Sequence, residues 1–218
     1  MSSGALDGRA LRGEATRERV LVAARDVLLE RGFAQTSTRA VAERADVPLS
    51  LVHYHFGSKQ QLLIEVLERE NELLLERQRE LYAAPGSLAG KWRAACAFLD
   101  EDLRSGYVRV LWELWGAGLA DETLAARWRS SMAGWRTLLE SVAAAWVETI
   151  DVEPPLSAKG LATLVTNVFQ GIEIELLAGV TEEEAPHREV LEALGAVIER
   201  WEAAGARRAT AESRERAS

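Results

Sequence analysis

Apolar residues recur at three- and four-residue intervals through most of this chain, and strict alternation appears nowhere at a useful length. Val20, Leu21, Ala24, Val27 and Leu28 form the first stripe, which stops at Gly32, a residue suited to a left-handed helix end. Ser37 is placed to cap a short helix whose inner face is Ala40, Val41 and Ala45. Pro48 suits the first turn of the next helix, where its missing N–H leaves nothing unpaired. Ser58 with Gln61 three residues on reads as a capping box opening a long helix that carries Leu62, Leu63, Val66, Leu67 and Leu74. "APGS" at 84–87 interrupts the pattern.

Beyond that break the spacing predicts five more helices. Trp92, Ala95, Cys96 and Leu99 share one face of the first, and Val110, Leu111, Leu114 and Trp115 mark a shorter second. A long stripe runs from Ala125 through Trp128, Met132, Trp135, Leu138, Leu139 and Val142 to Trp146, ended by "DVEPPLS". Leu161, Leu164, Val165, Val168, Phe169, Ile172 and Leu176 form another, and Val190, Leu191, Leu194, Val197, Ile198 and Trp201 the last. The fold class expected is all-α: an N-terminal three-helix helix-turn-helix head and a C-terminal helical domain. Residues 1–13 read as a disordered arm, 14–60 as the head, 61–205 as the helical body and 206–218 as a disordered tail without periodicity.

Composition sharpens this only in places. A chain of 218 residues can bury a core, and 48% hydrophobic with 28% charged residues is ordinary for a globular protein. Cys96 is the single cysteine, which rules out an intramolecular disulfide and fits a cytoplasmic location. No run approaches the roughly 18 apolar residues of a membrane helix, and the N-terminus lacks an apolar signal core, so no membrane partner is expected. The net charge of −8 is unevenly spread. Residues 1–60 hold 9 Lys/Arg against 7 Asp/Glu, and the remainder 17 against 27, a mildly basic head on an acidic body.

Two short helices joined by "ADVP", after one longer helix, form the helix-turn-helix arrangement, whose second short helix can enter a DNA major groove. Hydroxyls and a lysine suit phosphates, and an arginine suits guanine. The stretch "RVLVAARDVLLERGFAQTSTRAVAERADVPLSLVHYHFGSKQQLLIEVL" closely resembles the DNA-binding head of the tetracycline-repressor (TetR) family of bacterial transcription regulators. The pieces that carry the resemblance are "ERGF", "TSTRAVAERADVP" and "LVHYHFGSKQQLL", within residues 18–67; outside them it is only general.

The resemblance implies the site. Ser37, Thr38 and Arg39 fall where family members touch phosphate or a base edge, Leu49, Ser50 and His53 on the groove-facing side of the recognition helix, and Tyr54 and Lys59 on common phosphate contacts. Leu49 stands where a polar or basic residue is frequent, Leu51 where Thr is, and His53 where Tyr is usual, so no operator can be borrowed from relatives. Tyr54 could otherwise be a hydrophobic plug, and Lys59 a solvated charge, although a cation opposes the dipole at a helix N-terminus. His55 and Phe56 read as core. His53 and His55 cannot chelate one metal, since residues two apart on a helix point about 200° apart. No cofactor is expected.

The family's second domain binds a small molecule and forms the dimer. All seven tryptophans follow the head. Trp112, Trp115, Trp128, Trp135 and Phe169 are candidates to line an apolar pocket, with Glu113, Asn167, Gln170 or Arg136 as orienting polar groups. The competing reading is that these aromatics fill a helical core. The segments at about 158–178 and 187–203 are apolar over more than one face, which points to a four-helix homodimer interface, with Gly160 and Gly171 allowing close approach. The function expected is a ligand-responsive repressor, released from a pseudo-palindromic double-stranded DNA operator by a small apolar or aromatic effector. A helical adaptor would explain the apolar stripes but not the Ser37–Lys59 pattern. An enzyme has little support from three scattered histidines, one cysteine on an apolar face and no Gly-rich phosphate loop.

Overall fold

The chain is described by a computed structural model covering residues 3–150 and 153–216; residues 1–2 and 217–218 of the expected arm and tail, and 151–152 of "DVEPPLS", lie outside the described residues. The described residues contain nine helices and no strand: α1 (Ser3–Gln35), α2 (Thr38–Ala45), α3 (Leu49–Phe56), α4 (Lys59–Ala83), α5 (Leu88–Ser105), α6 (Tyr107–Gly118), α7 (Glu122–Val147), α8 (Ala158–Leu177) and α9 (His187–Arg216). The all-α class is as the periodicity predicts. Two expectations differ at the ends. Residues 3–13 continue α1 backwards, and 206–216 continue α9 onwards, as helix rather than as irregular arm and tail. Both stretches are free of proline and carry several Ala and Arg residues, and a formed helix propagates into them without a new nucleus.

The chain packs as two compact units. The first takes the chain up to Leu73 together with Gly106–Ser131; the second takes Leu74–Ser105 together with the chain from Met132 onward. This divides the molecule differently from the boundary expected at residue 60. α4 is one continuous helix whose first half carries Leu62, Leu63, Ile64, Val66 and Leu67, all fully buried, so that half belongs with the head.

In the first unit α1 packs on α2 and α3, and Val20, Ala24, Val27 and Leu28 of α1, Val41 of α2, and Val52 and Phe56 of α3 are all buried. Each such aliphatic side chain contributes about 1.5–3 kcal/mol of burial. α1 and α4 are also joined by ion pairs, Arg17 with Glu65, Arg69 with Glu18 and Arg25 with Glu70 at 2.9 Å, while Arg69 also pairs with Glu70 within α4 at 3.3 Å. α6 packs on α1, with Val108, Val110 and Leu114 buried. Gly106, at φ 83, starts α6 where a Cβ would stand 2.8 Å from Leu29.

The second unit is built on Trp92, Leu99, Ile172 and Leu191, from α5, α8 and α9. The Trp92 indole N–H donates to the Leu191 carbonyl at 2.9 Å, and its ring meets Phe169 edge-on at 5.7 Å. Glu202 of α9 accepts from the Leu88 N–H at 2.6 Å, placing a carboxylate on the positive end of α5. Among the described residues no helix is long and apolar enough to cross a membrane.

Candidate nucleic-acid interface

The α2–α3 corner is held by its own backbone. Ser37 caps α2, its hydroxyl accepting the Ala40 N–H at 3.2 Å. At the other end Asp46 adopts the left-handed conformation (φ 51, ψ 55), its N–H reaching the Glu43 carbonyl at 3.3 Å while the Val47 N–H reaches Ala42 at 3.1 Å. That is the Schellman closure, and it turns the chain sharply enough for α3 to start at Leu49. Pro48 stands one position earlier than expected, at the cap (φ −56, ψ 137) rather than inside the first turn. Its fixed φ and extended ψ deliver the chain into the helix, and its carbonyl already accepts the Leu51 N–H at 2.9 Å.

The opening of α4 keeps half of its expected box. Ser58 accepts the Gln61 N–H at 3.1 Å, but the Gln61 amide turns to Glu65 at 3.4 Å instead of reaching back. The Ser58 N–H is taken by the Phe56 carbonyl, which leaves the glutamine no donor to meet.

The candidate DNA contacts gather on this corner. Ser37, Arg39, Ser50, His53 and Tyr54 are exposed; Thr38, Leu49 and Lys59 are half-buried. Tyr54 is 81% exposed, an aromatic ring that the fold does not use as a plug. It rests edge-on against His55, at 5.2 Å. Phe56 is buried, as expected of a core residue, and His55 is half-buried. His53 pairs through Nδ1 with the Gly57 carbonyl at 3.1 Å, which puts its proton on that nitrogen and leaves Nε2 an acceptor in the neutral ring.

Lys59 has a second occupation. Its Nζ donates to the Phe33 carbonyl at 2.5 Å and lies 4.4 Å from the centre of the Phe33 ring. Burial there holds its pKa below the ordinary lysine value. The partner is the kinked end of α1, where Gly32 turns left-handed (φ 72). Glu113 of α6 accepts the Phe33 N–H at 2.9 Å, and Thr36 donates to the Gly32 carbonyl at 2.8 Å. Lys59 and Glu113, from distant parts of the sequence, thus fix the joint between α1 and α2 together with the local Thr36, and the local pattern gave no sign of the two distant roles.

The eight candidate effector residues are divided between the two units. Trp112, Glu113, Trp115 and Trp128 belong to the first unit, whereas Trp135, Asn167, Phe169 and Gln170 belong to the second. Trp115 lies between Trp112, at 5.3 Å, and Trp128, at 6.4 Å. Glu113 is a structural cap rather than a free orienting group. Phe169 packs on the Trp92 core, Gln170 points its amide at the Met132 sulfur at 2.9 Å, and Asn167 is exposed.

The second unit holds two cavities that none of the eight lines. One, of about 190 Å³, is almost wholly apolar and is walled by Trp92, Trp146, Trp201 and Leu164 among others, with Trp146 stacked on Trp201 at 5.6 Å. The other, of about 570 Å³, lies along α5, α8 and α9. Trp92 borders both, and its place at helical spacing with Cys96 and Leu99 disguised it as core. No group of three or more His, Cys, Asp or Glu side chains among the described residues is arranged to hold a metal.

Residues 20–66 match the profile of bacterial regulatory proteins, tetR family. An uncharacterised HTH-type transcriptional regulator of Mycobacterium bovis is 27% identical over 167 residues, 75% of this chain and 83% of the relative. A transcriptional regulator from a Rhodococcus species has a similar structure, with a TM-score of 0.67 and 25% identity, covering 85% of this chain and 95% of that one. The fold is also that of the regulator FadR from Bacillus subtilis, solved with stearoyl-CoA: TM-score 0.66, 17% identity, 81% of this chain and 96% of that one.

Proposed function

We propose that this chain, whose residues 20–66 match the tetR family of bacterial regulatory proteins, is a ligand-responsive DNA-binding transcriptional regulator of that family and acts as a homodimeric repressor released from a pseudo-palindromic operator by a small effector. The observation that carries the DNA reading is Tyr54: a large ring 81% exposed on the same short helix as Ser50 and His53, beside Arg39 across the turn. An exposed ring at that position, with a hydroxyl able to donate to a phosphate, supports contact with an external partner. In this reading Ser37, Thr38, Tyr54 and Lys59 meet phosphate, while Arg39, Leu49, Ser50 and His53 face base edges. Leu49 gives apolar contact where a thymine methyl would lie. Lys59 reaches its phosphate with the donors left after Phe33.

Dimerisation runs through α8 and α9. Leu164, Ile174, Leu177 and Val190 remain 38–45% exposed on them, an apolar set that a second copy would cover. A two-fold dimer then sets two copies of α3 about 34–36 Å apart, one groove repeat. The cavities of the second unit support reading it as the site of a small apolar or aromatic effector, and FadR, a regulator of the same fold, is solved with stearoyl-CoA. It needs only a differential affinity for two conformations, and a few kcal/mol suffices.

Selection from random duplex DNA at roughly physiological salt tests this. The expected result is a pseudo-palindromic site, lost in the Tyr54→Ala protein. A folded dimer that enriches no sequence, or a Tyr54→Ala protein that enriches the same one equally well, would overturn the reading.

A further inference from the structure

The larger cavity of the second unit has a two-part chemistry. Its floor is apolar, with Trp92, Leu99, Ile172 and Leu191 among the lining side chains. Its mouth is charged, and the charges do not balance: Asp100, Glu182, Glu192 and Glu199 face two guanidiniums, Arg93 and Arg188. Arg188 is already satisfied within the fold, its guanidinium 3.1 Å from Asp100 and 3.9 Å from Glu182, and its N–H donating to Glu182 at 3.1 Å. Four carboxylates against two guanidiniums leave the mouth an excess of two carboxylates.

His187 is the buried polar group on the wall. Its side chain is 8% exposed, and Nε2 lies 3.3 Å from the Glu175 carboxylate without the alignment of a hydrogen bond and with no other partner. A buried imidazole nitrogen left without a hydrogen bond is an unmet polar demand beside the cavity. The volume of about 570 Å³ falls in the range of small-molecule sites, and far exceeds what one water or ion needs.

We propose that this cavity binds an amphipathic organic cation, with an aromatic or branched apolar body against Trp92 and Leu191 and an ammonium or amidinium group at the carboxylate-rich mouth. The inference rests on reading the second unit as the effector-binding part of the regulator, and it gives that effector a charge. An anionic amphiphile of the same shape is rejected, because its head would meet unpaired carboxylates in place of water.

A matched set of probes tests this: 4-phenylbutylamine, 4-phenylbutanol and 4-phenylbutyrate share a body and differ in head charge. Titrations of the full-length protein, followed by tryptophan fluorescence and by thermal shift, are expected to rank the amine first. The amine should bind at least about tenfold tighter than the carboxylate, the size of two partly solvated ion pairs. In a Glu192→Gln/Glu199→Gln protein, whose exposed sites leave the core untouched, the amine should lose that advantage while the alcohol binds as before. Equal or tighter binding of the butyrate, an amine affinity indifferent to the double substitution, or no binding of any probe to the folded protein would overturn the proposal. Repeating the titration on operator-bound protein separates the two readings. Amine binding without release of DNA would keep the cavity and remove its role as the effector site.

Discussion

Asp46 holds a left-handed backbone conformation that glycine adopts without strain, and the α2–α3 turn depends on it. Asp46→Gly is therefore expected to raise stability by about 0.5–1 kcal/mol, read as a higher urea midpoint, because the Cβ penalty disappears. No gain would mean that the aspartate side chain compensates for its backbone. Two other residues set the response to alkali. Burial pushes the Cys96 thiol up to about 11 and the Tyr82 phenol up to about 12. In the unfolded chain these groups lose their protons near 9.0 and 10.0, so as pH rises the unfolded state gives up protons first and is favoured. Stability present below pH 9 should fall between pH 9 and 12, and Cys96→Ala should flatten the lower part of that fall. The same burial makes native Cys96 roughly a hundredfold slower to alkylate at pH 8 than an unperturbed thiol. Fast labelling of the folded protein would contradict it.

At the scale of elements, the joint between α1 and α2 stands out. Phe33 is held at its N–H by Glu113 and at its carbonyl by Lys59, residues that reading along the chain assigns to a ligand and to DNA, while Thr36 donates to the Gly32 carbonyl. Replacing Glu113 with Leu leaves the Phe33 N–H without its acceptor and should cost about 1–3 kcal/mol, whereas Glu113→Gln keeps an acceptor and should cost less. Melting both variants checks the ranking; equal losses would show that the carboxylate charge matters more than the hydrogen bond. Gly106→Ala should destabilise by a similar amount, about 1–3 kcal/mol, since it combines a left-handed φ with a Cβ only 2.8 Å from Leu29.

For the whole molecule the decisive quantity is association. Ile174→Asp and Leu164→Asp place charges on exposed apolar positions of α8, so the folded monomer should tolerate them. Sedimentation should then show a monomer at micromolar concentration, with operator affinity reduced by at least about a hundredfold as two-site binding is lost. A dimer that survives both would move the interface off α8. In the intact dimer, Arg39→Ala is expected to weaken specific binding by about 1–3 kcal/mol per half-site, measured against a scrambled duplex.

The sequence by itself determined the class, the order of the helices and the corner at residues 37–59, because periodicity, caps and turn residues are local properties of a few neighbouring positions. Ser37, Asp46–Val47–Pro48 and Ser58 each act within five residues of themselves, and the reading of them needed only small corrections. Tertiary structure decided the rest. Lys59 and Phe33 are 26 residues apart, and Phe33 and Glu113 are 80 apart, so no periodicity announces their bonds. The cavities follow the same logic: Trp92 looks like core from its own helix and becomes a cavity wall only because α8 and α9 pack beside it without filling the space. A spacing pattern reports which face of a helix turns inward; what that face meets is fixed by elements far away in the chain.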